Sequence, residues 1–417
     1  MPPSSGPPEP ARRRGAIAEV LWAFTRLGLT SFGGPVAHLG FFRTEFVRRR
    51  RWLSDAAYAD LVALCQFLPG PASSQVGMAL GLQRAGPLGM LAAWVAFTLP
   101  SAALLVAFAF GVQTFDGAGQ GWLAGLKAAA VAVVAHALIG MARSLTPDLR
   151  RALIAVAALA VVLLVPHPMV QVGVIVVAGL LGLGVLPRSL GGAVAGTSDD
   201  GATASGARRP ADRRRTRHIL PAASLGLFAL LLLGLPALAR LTGSTVVGFV
   251  DVFYRAGALV FGGGHVVLPL LQTRVVDTGM VDADTFLAGY GAAQAVPGPL
   301  FTFAGYLGAA NAATPSGITG GVIALVAIFL PSALLVLAVL PYWQTLRTNT
   351  TVRRALAGVN AGVVGLLGAA LVDPVITQGI TSVPALLLAL AALLALWRSV
   401  PPWLVVVAAG VLAHLVL

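Results

Sequence analysis

Two arginines, Arg26 and Arg255, lie in apolar stretches of the sequence, each six residues before a Phe-Gly-Gly. An ionisable side chain within a membrane segment is a functional candidate, and the arginine fork matches two oxygens of a tetrahedral anion. The spacing therefore predicts two positive contacts for an oxyanion, each beside a helix break. The break residues are Phe32, Gly33, Gly34 and Pro35 in the first copy and Phe261, Gly262 and Gly263 in the second.

A plainer interpretation of the two arginines stays open. Each guanidinium could extend along its aliphatic stem to the membrane interface. It could also pair with a nearby acid such as Glu19 or Asp251. The same arginine beside the same break in two copies favours substrate contact or a role in gating.

A second pair of breaks follows the first along the chain. The two copies are Pro69, Gly70 and Pro71, and Pro297, Gly298 and Pro299. Proline suits the first helical turn, and the free amides at a helix start attract anions. Neighbouring side chains add hydrogen-bond donors to the predicted substrate site, namely Gln66, Ser73, Ser74, Gln294 and Thr302. The alternative is a structural kink whose hydroxyls bond to the preceding turn.

A further positive charge lies within an apolar run at Lys127, the only lysine of the sequence, and its counterpart in the second half is Asn360. Both are predicted to contact the substrate, although a lysine near a helix end also reaches the interface. His38, His136 and His265 are candidates for proton relays. A lone histidine near a break more often makes a local hydrogen bond.

Composition places these residues in a polytopic membrane protein. Of the 417 residues, 57% are hydrophobic and 10% are charged, whereas soluble domains carry about 25% charged residues. The apolar runs lack period-two alternation, which favours helices over barrel strands. The net charge of +13 collects in loops at the ends of apolar runs, as in cytoplasmic loops. The expected environment is therefore a lipid bilayer, and nucleic-acid binding is not expected.

The sequence carries no signature of an enzyme or a cofactor site. Its one cysteine, Cys65, excludes an internal disulfide and a cysteine-based metal cluster. There is no phosphate-binding glycine loop and no nucleophile with a suitable base. We therefore expect no cofactor, no metal, no catalysis and no ATP-driven transport by this chain alone.

Ordered matches between the two halves indicate an internal repeat. Beyond the breaks, Gly77, Pro87 and Gly89 fall on Gly305, Pro315 and Gly317, and Leu99-Pro100-Ser101-Ala102 falls on Leu330-Pro331-Ser332-Ala333. Two homologous halves with broken helices are a common plan in secondary transporters. We predict an all-α polytopic membrane fold of two repeats with broken or re-entrant helices.

Changes in composition divide the chain into five segments. These are a disordered basic tail at 1–15, transmembrane repeat 1 at 16–187, a flexible basic cytoplasmic linker at 188–218, a connecting transmembrane helix at 219–239, and transmembrane repeat 2 at 240–417. The linker is rich in Gly, Ser and Arg, which is typical of flexible connections.

Basic residues lie in opposite loops of the two repeats. The arginine-rich loop ending at Arg51 corresponds to residues 274–284, which hold three aspartates and one arginine. Residues 111–120 hold no basic residue, whereas their counterpart carries Arg353 and Arg354. This reversal predicts inverted repeats, with the N-terminus and the linker in the cytoplasm. If every broken segment is a re-entrant hairpin, the chain crosses the membrane four times in each repeat and once in the connector. The single connector crossing then inverts the second repeat.

The motif combination resembles a known family. Phe-Gly-Gly-Pro-Val-Ala-His at 32–38, Pro-Gly-Pro at 69–71 and 297–299, and two tandem homologous halves are similar to bacterial chromate transporters of the long, two-domain type. The resemblance covers nearly the whole chain apart from the tail and the linker. It implies export of chromate, a tetrahedral dianion similar to sulfate, across the inner membrane. Gly264 stands where repeat 1 has Pro35, so the two motifs are related but not identical.

The leading functional hypothesis is a chromate efflux carrier driven by the membrane potential, with proton exchange as an added option. The alternatives are a transporter of sulfate or another oxyanion, and an anion channel lined by the same helix ends. A receptor without transport leaves the paired arginines and paired breaks unexplained. The oligomeric state stays open, with a homo-oligomer among the options.

Overall fold

Helices make up nearly all the regular structure of this chain. The computed structural model describes residues 9–114, 120–165, 168–187, 213–261, 267–343 and 349–416, and no strand occurs in those ranges. Repeat 1 contains α1 Glu9–Thr30, α2 Gly34–Phe42 with a π-helical continuation Arg43–Arg49, α3 Asp55–Phe67, α4 Ala72–Thr114, α5 Gln120–Leu145, α6 Leu149–Leu164 and α7 Pro168–Val185.

The second half repeats this order after a connecting helix. The connector α8 spans Arg213–Thr242, and the predicted segment 219–239 lies inside it. Repeat 2 contains α9 Thr245–Leu259, α10 Val267–Val275, α11 Ala283–Ala295, α12 Phe303–Ala309, α13 Gly317–Val339, α14 Thr350–Ala370, α15 Val383–Trp397 and α16 Pro402–Val416. Two short 3-10 turns, a π turn at Leu371–Ile376 and a helical turn at Thr377–Gly379 complete it.

The first broken segment folds back on itself. Beyond the Phe-Gly-Gly break, the Phe46 ring stacks on Phe24 of α1 with centroids 4.9 Å apart. Farther from the break on both arms, Arg50 Nη1 donates to the Glu19 carboxylate at 3.2 Å. The arms are therefore antiparallel, and both ends of this hairpin lie at the same level.

The second broken segment is a hairpin as well. α4 bends at Ala85 and Gly86, where the backbone is not helical. Just before the bend, Arg84 Nη2 donates to Glu19 at 2.7 Å, and its guanidinium lies 5.3 Å from the Trp52 ring centroid. The chain thus returns to the level at which α3 begins, and the remainder of α4 runs on as a long apolar helix.

Repeat 2 forms the same two hairpins. Tyr306 Oη donates to the Thr285 carbonyl at 2.9 Å, so α12 returns along α11 to its start. Arg255 of α9 and Arg274 of α10 line one small cavity, which places the arms of the Phe-Gly-Gly hairpin side by side.

The helices that follow the broken segments pack against helices of the other repeat, and we call them the scaffold helices. α5 of repeat 1 packs against α15 and α16, and α14 of repeat 2 packs against α6 and α7. Close backbone approach requires glycine at the equivalent positions Gly125 and Gly358. A side chain on Gly125 would clash with the backbone of Ala409 and Gly410, and one on Gly358 with Ala178 and Gly182. The two halves are therefore interlocked rather than merely adjacent.

Equivalent helices begin at opposite faces of the molecule. At the start of α14, Arg354 donates to the carbonyls of Leu183 and Leu186, and at the start of α6, Arg150 donates to that of Val185. These contacts define a basic face, which carries the starts of α6 and α14 and the end of α7. α5 ends just before α6 and so begins at the opposite face, where its Gly121 meets the backbone of His414.

The architecture agrees with the predicted fold class. Five helices of the described chain are long and apolar enough to cross a membrane: 72–111, 121–145, 219–242, 317–342 and 350–379. Shorter apolar helices run beside them, including 170–185, 383–397 and 402–415. The chain is an all-α polytopic membrane protein of two inverted repeats with broken helices.

Candidate functional site

The breaks of the two repeats meet in pairs. The Gly70 N–H, in the Pro-Gly-Pro of repeat 1, donates to Val260 O at the end of α9, just before the second Phe-Gly-Gly. The reciprocal bond runs from the Gly298 N–H to Ser31 O, just before the first Phe-Gly-Gly. The two lengths are 2.7 and 2.9 Å. Each hairpin of one repeat is therefore hydrogen-bonded to a hairpin of the other. We call the region around these two bonds the hairpin junction.

Glycine is required at both crossing points. Gly70 and Gly298 have φ angles of +118° and +107°, which other residues rarely adopt. A Cβ on Gly70 would clash with Ser332 Oγ, and one on Gly298 would lie 2.7 Å from Ser101 Oγ. The serines of the two Leu-Pro-Ser-Ala matches therefore lie against the opposite repeat's break.

Repeat 1 supplies a polar cluster at the hairpin junction. His38 Nε2 lies 3.2 Å from Ser31 O and Nδ1 lies 3.4 Å from Ser73 Oγ. A carbonyl only accepts, so this arrangement assigns the proton of a neutral ring to Nε2 and leaves Nδ1 to accept from Ser73. Gln75 Nε2 donates to Pro69 O at 2.6 Å and approaches Ser332 Oγ at 3.3 Å.

Several buried polar atoms near the junction have no hydrogen-bond partner within the described chain. They are Ser31 Oγ, Ser74 Oγ, Gln75 Oε1, Thr98 Oγ1 and Gln294 Nε2. A buried polar group without a partner costs about 1–3 kcal/mol. Gln75 Oε1 is an acceptor, whereas the three hydroxyls and the Gln294 amide nitrogen can donate, which suits a ligand that accepts several hydrogen bonds.

Helix α4 begins at this cluster. Pro71 precedes its first residue, and the Gln75 N–H bonds to Pro71 O, which leaves the amides of the first turn without helical partners. Ser73 and Ser74 belong to that turn and are buried. Repeat 2 differs, because a 3-10 turn at Leu300–Thr302 separates its Pro-Gly-Pro from α12.

The predicted arginines both lie near acids. Arg26 Nη1 is 4.0 Å from Glu45 Oε2, and its side chain is half exposed. Arg255 Nε donates to Asp251 at 2.7 Å, and its Nη2 donates to Leu232 O of α8 at 3.2 Å. The pairing with Asp251 is the plainer alternative that the sequence offered, whereas Glu19 instead binds Arg50 and Arg84.

The other predicted contacts are scattered. Lys127 Nζ donates to Asp284 at 2.8 Å, which links α5 to the start of α11. Gln66 is exposed, whereas its counterpart Gln294 is buried at the junction. Thr302 Oγ1 donates to Pro299 O at 2.7 Å, a bond to the preceding turn. Asn360 is partly buried on α14.

Some predicted break residues lie outside the description of the structure. Gly262 and Gly263 fall outside the described residues, and only the backbone of Pro35 is described. Phe261 and the backbone from Phe32 to Gly34 are within it. The residues just before the two motifs, Ser31 and Val260, accept the bonds from Gly298 and Gly70.

Sequence reasoning missed several junction residues. Ser31, Gln75, Thr98, Ser101 and Ser332 were not selected as site residues. Ser101 and Ser332 carried a signal, because the repeat aligns them. Gln75 had none of that kind, since the aligned position of repeat 2 is Phe303. Among the described residues, no group of three or more His, Cys, Asp or Glu could hold a metal ion.

Comparison with known proteins places the chain in one family. The family model described as Chromate transporter matches residues 18–183 and 247–414, one match for each repeat. The chain is 27% identical to a probable chromate transport protein of Synechococcus elongatus over 95% of this chain and 94% of the relative. It is 28% identical to a chromate transport protein of Pseudomonas aeruginosa over 84% and 79%. It is 27% identical to that of Cupriavidus metallidurans over 90% and 86%.

No solved structure matches the chain. Because the family match covers both repeats and most of the sequence, the chain belongs to the chromate transporter family.

Proposed function

We propose that this protein is a secondary carrier that exports chromate and binds it at the hairpin junction. The observation that supports the site is the reciprocal pair of bonds, Gly70 to Val260 and Gly298 to Ser31, surrounded by buried donors without partners. Chromate is proposed as the cargo because the curated relatives are described as chromate transport proteins.

Neutral donors suit a tetrahedral dianion that must bind and leave. Hydroxyls of Ser31, Ser74 and Thr98, the Gln294 amide and the first-turn amides of α4 all donate hydrogen bonds toward an oxyanion. Hydrogen bonds to a charged group contribute about 1.5–3 kcal/mol each. A few of them replace hydration without the fixed counter-charge that would trap the ion. Sulfate offers the same four oxygens and is therefore the closest competing substrate.

The two arginines serve in this proposal as contacts along the route rather than in the junction itself. Arg26 lies between the hairpin's outer end at Glu19 and the break at Ser31, and it is half exposed. Arg255 holds the equivalent position on the inverted hairpin. Each would attract the anion on its own side of the membrane, while Glu45 and Asp251 limit the strength of that attraction.

The membrane potential favours export. One charge crossing 100 mV corresponds to about 2.3 kcal/mol, so a dianion at roughly 150 mV, inside negative, is driven outward by about 7 kcal/mol. Uptake against that term would require more than two accompanying protons. Efflux needs no other energy source, although exchange for protons is compatible with it.

We assign the basic face to the cytoplasm of a bacterial cell and the membrane to the inner membrane. The basic face carries Arg150 and Arg354 near the end of α7, which leads into the arginine-rich linker. Cytoplasmic loops are enriched in basic residues. The N-terminus is then cytoplasmic and the C-terminus external.

Radiolabelled chromate uptake into everted vesicles tests the proposal. An inside-positive potential should drive chromate into vesicles that contain the protein, and the Ser74→Ala and Thr98→Val variants should slow it while reaching normal membrane levels. Labelled sulfate in the same vesicles distinguishes a general oxyanion carrier. Conductance far above carrier turnover would favour a channel, and transport of neither anion would refute the proposal.

A further inference from the structure

A polar cavity lies away from the hairpin junction. Its volume is about 240 Å³, and it lies where the ends of α6 and α10 meet the start of α7 and the end of α14. α14 starts at the basic face, so this cavity lies toward the opposite face. Its polar lining includes Gln171, Gln272, Asp277, Asp373 and Gln378.

One residue of the lining has a buried acceptor without a partner among the described residues. Gln272 is only 6% exposed, and its Oε1 atom has no hydrogen-bond partner in the described chain. Gln378 Oε1 is likewise buried and unpaired. Two carboxylates, of Asp277 and Asp373, lie at the more exposed part of the lining. Carboxylate and amide oxygens together form the ligand set that hard cations prefer.

One of the two carboxylates is oriented by a hydrogen bond. Thr377 Oγ1 donates to Asp373 Oδ1 at 2.9 Å. Asp277 lies on the turn between α10 and α11 and lines the same cavity. A positive ligand between two carboxylates offsets their mutual repulsion.

This arrangement is confined to repeat 2. With Phe32 aligned on Phe261, Gln272 and Asp277 fall on Arg43 and Arg48 of repeat 1. With Lys127 aligned on Asn360, Asp373 falls on Gly140. A cavity with this ligand set therefore does not follow from the shared repeat fold. It is a property of the second repeat alone.

We propose that this cavity binds a hard cation, of the sodium or calcium type, through the Asp277 and Asp373 carboxylates and the Gln272 and Gln378 amide oxygens. The ligands come from two structural units. Gln272 belongs to an arm of the second Phe-Gly-Gly hairpin, and Asp277 to the turn that follows it. Asp373 and Gln378 belong to the end of the α14 scaffold segment. A bound cation would fasten this hairpin to the scaffold.

Equilibrium dialysis of the purified full chain in detergent tests the proposal. The probes are labelled Na⁺ and labelled Ca²⁺, each without chromate, so the outcome does not depend on the transported anion. We expect saturable binding of one of the two. The double variant Asp277→Asn and Asp373→Asn should weaken it by about tenfold or more, because ligand charge sets affinity in such sites.

Two further variants separate a built site from general surface charge. Gln272→Leu keeps the side-chain size and should also weaken binding, whereas Asp284→Asn removes an acid on the same face and should not. Thermal unfolding checks that each variant is folded. Absence of saturable binding of both ions would overturn the proposal, as would equal affinity in the wild type and the double variant, or equal loss in Asp284→Asn.

Discussion

The two repeats meet symmetrically through their backbones but differ in what they bring to the junction. His38, Ser73 and Gln75 of repeat 1 align with Val267, Phe301 and Phe303 of repeat 2. All six side chains are buried. Repeat 1 thus supplies most of the hydrogen-bonding side chains, while repeat 2 supplies an apolar wall.

Aromatic contacts stabilise the apolar wall of repeat 2. The Phe303 ring packs against Phe286 at 5.1 Å and Tyr290 at 5.7 Å, between ring centroids. Such aromatic pairs add stability beyond their buried area. The inverted repeat therefore preserves the helix breaks that shape the junction, while repeat 1 carries more of the polar side chains there and repeat 2 more of the aromatic packing.

The largest stability effect should come from the buried ion pair of repeat 2. Arg255→Ala leaves Asp251 charged and nearly buried, which typically costs about 3–5 kcal/mol. Combining Arg255→Ala with Asp251→Asn should recover most of that loss. Chemical denaturation of the purified protein measures both. Equal stability of Arg255→Ala and the wild type would show that the pair does not support α9.

The binding difference between the repeats is tested at one aligned pair, Ser74 and Thr302. Ser74 Oγ has no partner among the described residues, whereas Thr302 Oγ1 donates to Pro299 O. Ser74→Ala should therefore weaken chromate binding by about ten- to a hundredfold, the equivalent of about 1.5–3 kcal/mol for a lost bond to an anion, and Thr302→Val should leave the chromate Kd nearly unchanged. If Thr302→Val instead weakened binding as much as Ser74→Ala, the division between the repeats would be wrong.

The backbone symmetry predicts matched effects at the crossing glycines. Gly70→Ala and Gly298→Ala each force a side chain into a positive-φ position against the opposite repeat's serine. Each should lose about 1–3 kcal/mol of stability from backbone strain, besides the clash. Thermal unfolding in detergent measures both. A large loss in only one variant would break the proposed structural equivalence.

The smallest stability effect is expected at Arg26. Its pair with Glu45 is long and half exposed, and such pairs contribute about 0–1 kcal/mol. Arg26→Ala should nevertheless slow chromate flux in vesicles, whereas Arg43→Ala, which removes an exposed pair with Asp55, should not. Normal flux in Arg26→Ala would remove this arginine from the proposed route.

Sequence patterns predicted the repeats and their inversion because break motifs and loop charges are local properties. They could not show that Gly70 bonds to Val260 and Gly298 to Ser31, since those contacts join opposite repeats. The sequence offered Asp251 as one candidate partner of Arg255, and the folded helix shows that the two side chains bind each other. Gln75 was not selected because the aligned position of repeat 2 is Phe303, so the repeat gave no signal there.

We propose that chromate binds at the hairpin junction through buried neutral donors. Equilibrium dialysis of labelled chromate against the purified wild type and the double variant Ser74→Ala and Thr98→Val tests it directly. We expect saturable binding by the wild type and an affinity at least about tenfold lower in the variant, with normal folding. Unchanged affinity in a folded double variant would contradict the assignment of this site.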